Sequence, residues 1–371
     1  MIINFIELKN FRLHKNTKLN FSENLNYIVG GNGQGKTSIL EAIYYLCTTK
    51  SINQVSDSEA VTFDEKGFEI IGNFSDLTNN SVRVYYDLEN QKKNYFLDQK
   101  NVYRASTVIG KFPVVTLTQS DHSVTMGSPG DRRKFVDSVL SQCSATYLDL
   151  LLEYNKTLRQ RSSLLSQIKD ERSKSLYDQL DVWTETLIKT GTELIKHRIR
   201  FVEDYTKYVR ESYYHLMAED EVPDIEYFFL KGEESISSIE ESFRNLLNEI
   251  REDELRRASN LAGPHRDDFI FFINDMELKK FGSQGQHKTF QIALRFGQFF
   301  YIKDALGRKP IFLLDDVFGE LDMNRAKKIS EYLRKVGQAI ITMTDLSNLE
   351  KLGTFEDDLI INVSNGKAAY V

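Results

Sequence analysis

The chain has 371 residues, of which 41% are hydrophobic and 27% charged, and its formal net charge is −6. These values exclude a disordered or membrane-embedded chain, because no stretch approaches the roughly 20 apolar residues that a membrane span needs. The N-terminus lacks a secretory signal pattern and the two cysteines lack metal-ligand spacing, so we expect a cytoplasmic protein that does not bind membranes. The acidic balance argues against indiscriminate nucleic-acid binding, yet it leaves room for a local basic surface.

The N-terminal part of the chain predicts a strand followed by a phosphate-binding loop. Residues 2–8 alternate well enough for an edge strand, and a turn is expected over residues 11–14. Residues 26–46 then predict a short apolar strand, a glycine-rich turn and an amphipathic helix. The turn matches G-x-x-x-x-G-K-[ST]. We expect it to bind a nucleoside triphosphate through a set of seven residues: Gly30, Asn32, Gly33, Gly35, Lys36, Thr37 and Ser38.

The chemistry of this loop follows from its residue types. Glycines let successive backbone N–H groups converge on the phosphates, and the helix that follows presents further amides with a partial positive charge. Lys36 is expected to reach the β- and γ-phosphates of ATP and to take part in catalysis. Thr37 offers its hydroxyl to Mg²⁺.

Further strands are predicted after the loop helix. Residues 68–74, 81–88 and 93–97 predict an antiparallel meander beside the nucleotide-binding strand. Residues 112–117 predict one more buried strand.

A helical region interrupts the strands. Residues 129–140, 145–167 and 175–217 have helical periodicity, and a serine followed by a proline marks the start of the first helix. Strands are expected again over 268–273, 310–314, 338–341 and 359–363, separated by helices over 284–304 and 324–336. We therefore predict an α/β fold in three parts: a head over 1–126, an inserted helical lobe over 127–257, and the second part of the head over 258–371.

The second half of the nucleotide site is expected at residues 311–316. They predict a buried strand that ends in two carboxylates. In phosphate-loop enzymes such a strand lies near the loop and its aspartate holds the metal. We assign Asp315 to Mg²⁺ and Asp316 to orienting the attacking water, with Glu320 as the next candidate for the base.

Two more segments make the chain resemble the ABC-type ATPases. Residues 283–286, Ser-Gln-Gly-Gln, begin a predicted helix before the acidic strand, and residues 319–322 follow that strand as a D-loop does. The resemblance implies that Ser283, Gly285 and Gln286 contact the γ-phosphate bound by a second copy of the chain. It also implies that Gln119 contacts the metal, as a Q-loop glutamine does.

Four stretches resemble the RecF family of bacterial DNA replication and repair proteins. They are residues 8–12, 127–137, 263–268 and 283–286, and the most specific is Gly-Pro-His-Arg-Asp-Asp at 263–268. The resemblance spans nearly the whole chain and implies an ABC-type ATPase head with parallel and antiparallel sheets, to which Arg12 contributes a nucleotide contact. It further implies ATP-dependent homodimerisation on gapped, single- or double-stranded DNA, slow hydrolysis that serves release, and RecO and RecR as partners.

DNA binding requires a local basic surface because the chain is acidic overall. Residues 151–210 carry twelve Lys and Arg against nine Asp and Glu. The candidate phosphate contacts are Arg132, Arg133, Lys134, Lys196, Arg198 and Arg200. The alternative for Arg132 and Arg133 is a structural network with acids such as Asp131 and Asp137.

Three other functions compete with this interpretation. A transporter ATPase is disfavoured because the segment between the phosphate loop and the signature is long and no membrane span is present. An SMC-like structural ATPase, or another DNA-repair ATPase outside gap repair, remains the alternative, although coiled coils need many heptads. A small-molecule kinase would need an acceptor pocket, and phosphotransfer assays would reveal it.

Overall fold

A computed structural model describes residues 1–53, 55–217, 221–230, 232, 238–320, 323–344 and 357–371, with only the backbone for 320, 323 and 324. The chain divides into two compact units. The first, the sheet unit, contains residues 1–121, 211–219 and 292–371. The second, the helical unit, contains residues 122–210 and 220–291.

The sheet unit contains a six-stranded antiparallel sheet with the order β2-β1-β4-β5-β6-β7. Its strands are β1 (Ile2–Phe11), β2 (His14–Asn20), β4 (Gly67–Ser75), β5 (Asn79–Asp87), β6 (Lys92–Leu97) and β7 (Lys100–Asn101). The predicted meander is confirmed, but the prediction of an edge strand over 2–8 is wrong, since β1 pairs with both β2 and β4. Five of the seven residues of β2 are Lys, Asn or His, and this polar composition hid the strand.

The second sheet of this unit is mostly parallel and has the order β15-β14-β3-β13-β12-β8. Its strands are β3 (Leu25–Val29), β8 (Val114–Leu117), β12 (Ile311–Asp315), β13 (Ala339–Met343), β14 (Leu359–Ser364) and β15 (Lys367–Tyr370). Only the pairing of β14 with β15 is antiparallel. The meander therefore does not lie beside the nucleotide-binding strand β3, which pairs instead with β13 and β14. All five residues of β3 and all five of β13 are buried, as is typical of strands covered on both faces.

One hydrophobic core joins the two sheets through helix α1 (Lys36–Thr48), which follows the phosphate loop. Ile6 of β1, Ile28 of β3 and Ile43 of α1 are fully buried in the same cluster. The rings of Phe11 and Tyr45 meet edge-on with centroids 5.8 Å apart. Burial of this apolar face fixes the helix that carries Lys36, because each buried aliphatic side chain contributes about 1.5–3 kcal/mol.

The helical unit combines helices with a three-stranded antiparallel sheet. Its helices are α2 (His122–Met126), α3 (Pro129–Cys143), α4 (Ala145–Asp170), most of α5 (Lys174–Leu216), α6 (Ile239–Glu249), α7 (Arg251–Arg257) and α8 (Leu278–Phe281). The strand order is β11-β10-β9, with β9 (Pro223–Phe228), β10 (Asp268–Ile273) and β11 (Met276–Glu277). Helix α9 (Gln284–Leu306) begins here and ends in the sheet unit, which also holds α10 (Met323–Leu333).

The strand over 268–273 forms as predicted, but not in the parallel sheet. β10 pairs antiparallel with β9, a strand that the acidic residues 219–226 concealed. This pairing places residues 258–291 in the helical unit, whereas the predicted division assigned them to the head. Within the described ranges, no helix is both long and apolar enough to cross a membrane.

Candidate nucleotide-binding site

The phosphate loop connects β3 to α1 at the carboxyl edge of the parallel sheet. Gly33 and Gly35 have φ angles of 72° and 104°, a region that L side chains avoid. Gly30 lies so close to β14 that an added Cβ would meet the carbonyl oxygen of Val363 at 2.2 Å. Asn32, Gly33 and Thr37 are exposed, as residues that meet a ligand must be. The predicted strand, loop and helix are thus all present.

Lys36 is folded back on its own loop. Its amine donates hydrogen bonds to the carbonyl oxygens of Gly30 at 2.7 Å and Gly31 at 2.8 Å. Burial lowers the pKa of Lys36, and the nearby carboxylates of Asp316 and Asp315 act in the opposite direction. The charged amine is therefore held where the loop closes, with two acidic groups near it.

The loop and the acidic strand meet through hydroxyl groups. Thr37 Oγ1 donates to Asp315 Oδ1 at 2.8 Å, and Thr342 Oγ1 of β13 donates to the same oxygen at 2.7 Å. Hydroxyl and carboxylate oxygens are the ligands that Mg²⁺ prefers. The described residues contain no group of three His, Cys, Asp or Glu side chains that could hold a metal ion.

Asp316, the second carboxylate, has a strained backbone with a φ of 50°. Its N–H donates to Thr342 Oγ1 at 2.9 Å, so one threonine fixes both aspartates. Glu320 ends the short turn after the strand, and its side chain lies outside the described part of the chain. Residues 321–322 of the D-loop also lie outside it.

Gln119 opens a one-turn helix, Gln119–Asp121, directly after β8. Leu117 of β8 pairs with Leu314 of β12, so the exposed Gln119 follows at the same level as Asp316 on the neighbouring strand. Asp121 is buried, and Arg295 of α9 donates to its carboxylate, with Nε at 3.1 Å. This ion pair fixes the turn that carries the predicted metal ligand.

Arg12 lies at the turn between β1 and β2, with a φ of 55°. Its Nε and one terminal nitrogen each donate at 2.9 Å to the carboxylate of Glu41 in α1. The other terminal nitrogen donates to the carbonyl of Glu59. The hydrogen bonds to Glu41 raise the pKa of Arg12. A nucleotide contact by Arg12 stays a prediction, made from a side chain already oriented by the helix that follows the loop.

The signature stretch belongs to the helical unit and forms a capping box. Ser283 Oγ accepts from the N–H of Gln286 at 3.2 Å, and Gln286 Oε1 accepts from the N–H of Ser283 at 2.8 Å. Gln286 Nε2 also donates to Glu221 at 2.7 Å. Ser283 and Gly285 thus lie at the N-terminus of α9, and the N-terminus of a helix favours anions.

Two of the predicted DNA contacts are buried. Arg198 is 2% exposed and donates to Asp137 at 2.8 Å and to the carbonyl of Pro264 at 2.7 Å. Arg132 is 5% exposed and donates through two nitrogens to Asp268, at 2.8 Å each. A buried, paired guanidinium does not reach a phosphate, so the assignment of Arg198 and Arg132 to DNA is wrong. The predicted alternative, a structural network, is correct for Arg132, although its partner differs.

Arg133 donates to the backbone carbonyl of Asp267 and is only partly exposed. Asp131, considered above as its partner, instead caps α3 by accepting from the N–H of Ser128 at 2.8 Å. Sequence spacing identified the basic residues, but it did not show that Gly-Pro-His-Arg-Asp-Asp supplies their acceptors.

The remaining candidates face solvent. Lys134 and Arg200 are exposed, whereas Lys196 is about one third exposed and pairs with Glu193 at 2.8 Å. A surface pair of this kind is worth little and breaks easily, so Lys196 still offers charge to a ligand.

Two features near the phosphate loop were not predicted. They are the buried His14, whose Nε2 lies 2.9 Å from the carbonyl oxygen of Gly35, and the turn at Asn365 and Gly366, which bonds to Gln34. Neither carries a motif, and only the pairing of β14 with β3 brings the C-terminal turn to the loop.

A parallel sheet with a phosphate loop and an acidic strand end at one edge, together with a serine-capped signature helix, defines an ABC-type ATPase head. Residues 1–286 match a family model described as an AAA ATPase domain. The chain belongs to the RecF family of DNA replication and repair proteins, as its similarity to members of that family shows.

The similarity covers almost the full length. The chain is 41% identical over 351 residues to the DNA replication and repair protein RecF of Chloroherpeton thalassium, covering 92% of this chain and 94% of the relative. With RecF of Salinibacter ruber the identity is 34%, over 100% of this chain and 90% of the relative. The fold matches the recombination mediator protein RecF with ATP, of the RecFOR pathway, at a TM-score of 0.90 and 30% identity, covering 100% and 97% of the two chains. An Smc head domain from Pyrococcus furiosus matches with a TM-score of 0.58 and 16% sequence identity, and this match shows the fold alone.

Proposed function

We propose that this chain is an ATP-dependent recombination mediator that dimerises on ATP and binds DNA at single-strand gaps or stalled forks in the cytoplasm. The observation that carries the proposal is the contact between Thr37 and Asp315, which brings a phosphate-loop hydroxyl and an acidic strand end to 2.8 Å beside Lys36. Such a pair is the expected Mg²⁺ site of a phosphate-loop ATPase. A RecF protein solved with ATP supports the choice of nucleotide.

Thr37, Asp315 and Gln119 are the residues that would hold Mg²⁺, which when bound neutralises charge on the β- and γ-phosphates. Lys36 exchanges its two loop carbonyls for phosphate oxygens, a stronger, charge-assisted contact. Asp316 orients the attacking water. Its side chain is one methylene shorter than the glutamate that transporters use, so we propose that hydrolysis is slow, responds to DNA and serves release.

Dimer formation depends on the signature helix. In the capping box, Ser283 Oγ is occupied by the N–H of Gln286. We propose that the γ-phosphate bound by a second copy replaces this contact, so that ATP joins two heads. Charge at a helix N-terminus favours an anion by about 0.3–1 kcal/mol. ADP lacks the γ-phosphate and would not join the heads.

DNA binding is assigned to the exposed Lys134 and Arg200 and to the partly exposed Lys196 and Arg133. Contacts to phosphate are independent of sequence and sensitive to salt. Dimerisation doubles the number of cations that one duplex meets, so ATP raises DNA affinity. RecO and RecR are the proposed protein partners, as the RecFOR pathway of the structural relative suggests.

Sedimentation velocity with ATP, ADP or no nucleotide, each with and without gapped DNA, tests the proposal. We expect a dimer in the presence of ATP but not with ADP or without nucleotide. We also expect the ATP-bound dimer to bind DNA more strongly than the monomer does. A monomer at saturating ATP and gapped DNA would contradict the proposed ATP-dependent dimer. A phosphorylated small-molecule product would favour the kinase alternative.

A further inference from the structure

The phosphate loop is held from behind by the C-terminal turn of the chain. Asn365 and Gly366 connect β14 to β15, with φ angles of 48° and 70°. The N–H of Gly366 donates to the backbone carbonyl of Gln34 at 3.0 Å. The N–H of Asn365 donates to the side-chain oxygen of Gln34 at 2.7 Å. The last hairpin of the chain is therefore hydrogen-bonded to the centre of the loop.

His14 makes the next contact along the loop. Its ring is fully buried, and Nε2 lies 2.9 Å from the carbonyl oxygen of Gly35. A carbonyl oxygen only accepts, so Nε2 carries the hydrogen in this contact. In the neutral ring Nδ1 is then an acceptor, and it lies 3.0 Å from Thr17 Oγ1, which in turn lies 2.9 Å from the carbonyl oxygen of Gly366. His14 and Thr17 together thus lie between the loop and the C-terminal turn.

The ring of His14 packs so closely against Gly35 that no side chain has space there. A Cβ added there would meet His14 Nε2 at 2.8 Å, and the φ of 104° is itself a glycine conformation. Gly35 therefore serves the histidine contact as well as the bend of the loop.

Peptide planarity turns these contacts into a constraint on the phosphate side. In a trans peptide, the carbonyl and the N–H of the same plane point in opposite directions. The carbonyls of Gln34 and Gly35 are both held on the side of His14 and Gly366. The N–H groups of Gly35 and Lys36, which belong to the same two planes, therefore point to the opposite side. Two adjacent amides aimed one way form an anion-binding concavity.

We propose that His14 and the turn at Asn365 and Gly366 are positioning residues for nucleotide binding, because they fix the direction in which the amides of Gly35 and Lys36 point. The proposal rests on the assignment of this loop to ATP. Both amides are expected to bind the β-phosphate region, which ATP and ADP share. Loss of the contacts from His14 or from this turn should therefore weaken the binding of ATP and of ADP by a similar factor.

The test compares three substitutions of His14 in the full-length protein. In His14→Gln the amide nitrogen reaches about the position of Nε2, in His14→Asn it reaches only about that of Nδ1, and His14→Leu removes both ring nitrogens. The dissociation constants for Mg·ATP and Mg·ADP are measured by calorimetry, with melting temperatures as a fold control. We expect His14→Leu and His14→Asn to raise both dissociation constants about tenfold. For His14→Gln, both constants should remain within about threefold of the parent values.

His215→Leu is the matched control, because His215 is an exposed histidine of the same unit whose ring packs on Tyr332. It should bind both nucleotides as the parent does. Equal affinities for His14→Gln and His14→Asn, at any value, would overturn the proposal, and this contrast decides even if His14→Leu does not fold. A parent protein that binds no nucleotide would instead refute the proposed function and is recognised before any variant is compared.

Discussion

Lys36 is the residue whose substitution tests the nucleotide site most directly. Lys36→Met keeps the length of the side chain but removes the charge that neutralises the phosphates. We expect ATP affinity or turnover to fall at least about tenfold while the fold persists, since the apolar residues of α1 that pack against the sheets are untouched. Lys18→Met on β2, an exposed lysine, is the control. Unchanged ATP affinity and turnover in a folded Lys36→Met protein would refute the assignment of Lys36 to the nucleotide site.

Substitution of Asp316 tests the proposed role of this residue in hydrolysis. Asp316→Asn keeps the size of the side chain and its N–H contact with Thr342, but it removes the carboxylate proposed to orient water. We expect ATP to bind normally, hydrolysis to slow at least about tenfold, and the dimer to persist. Turnover is measured by phosphate release and the dimer by sedimentation. Hydrolysis at the parental rate would move the base elsewhere, with Glu320 as the next candidate.

His265 predicts how stability depends on pH. Burial lowers the pKa of His265 from 6.5 to about 4. Its Nδ1 lies 2.8 Å from the hydroxyl of Tyr154, which donates to the neutral ring. Between pH 6.5 and 4 the unfolded chain therefore binds a proton that the folded chain does not, so the free energy of unfolding falls as the pH falls through this window. The loss between pH 7 and pH 5 is about 2 kcal/mol.

Urea unfolding at pH 7 and pH 5 measures this loss. In His265→Gln the pH-dependent part should be smaller by about 2 kcal/mol, while the exposed His122→Gln should behave as the parent does. Identical pH dependence in the parent and His265→Gln would show that the ring titrates in the folded protein as it does in the unfolded chain.

At the scale of the secondary-structure element, the start of α9 decides dimer formation. Ser283→Arg removes the capping hydroxyl and places a large cation where the second nucleotide would approach. We expect ATP to bind a monomer, because the phosphate loop belongs to the other unit. Ser162→Arg, in α4, is a control for the added charge. An ATP-dependent dimer of Ser283→Arg, seen by sedimentation velocity, would rule out the head-to-tail arrangement.

The elements were predicted well where the pattern was local. Ser128 and Pro129 marked the first residue of α3, and the apolar run before Asp315 marked β12. The pattern failed for β2 and β9, whose polar residues hid the period of two, and it assigned β10 to the wrong sheet. Strand pairing is set by contacts between distant residues, which the periodicity of one segment does not contain.

In the candidate site, too, residues in local motifs were predicted and residues that depend on distant contacts were not. The loop motif and the acidic strand predicted Lys36, Thr37 and Asp315, because each has a fixed spacing in sequence. The supporting residue Thr342 has no motif and becomes visible only when β13 is placed between β3 and β12. Burial of Arg198 was hidden for a related reason, since its acceptors come from residues 137 and 264.

At the scale of the whole molecule, DNA affinity should depend on exposed cations alone. Lys134→Glu combined with Arg200→Glu should weaken DNA binding and lower the slope of log affinity against log salt by about two for each chain. ATP-driven dimerisation should be unchanged. The measurement is fluorescence anisotropy with a labelled duplex at several salt concentrations. Reversal of Lys18 and Lys92, exposed cations of the antiparallel sheet, is the control. Normal binding by the double variant would place DNA elsewhere on the protein.

The order of strands in the parallel sheet also constrains how the protein is made. β3, which leads into the phosphate loop, lies between β13 and β14, and both come from the last tenth of the sequence. A ribosome that has translated only the first 330 residues has already released the loop and the whole helical unit, yet neither neighbour of β3 exists. The nascent chain therefore cannot assemble its nucleotide pocket while these residues are being synthesised, and the pocket can form only after β13 and β14 leave the exit tunnel.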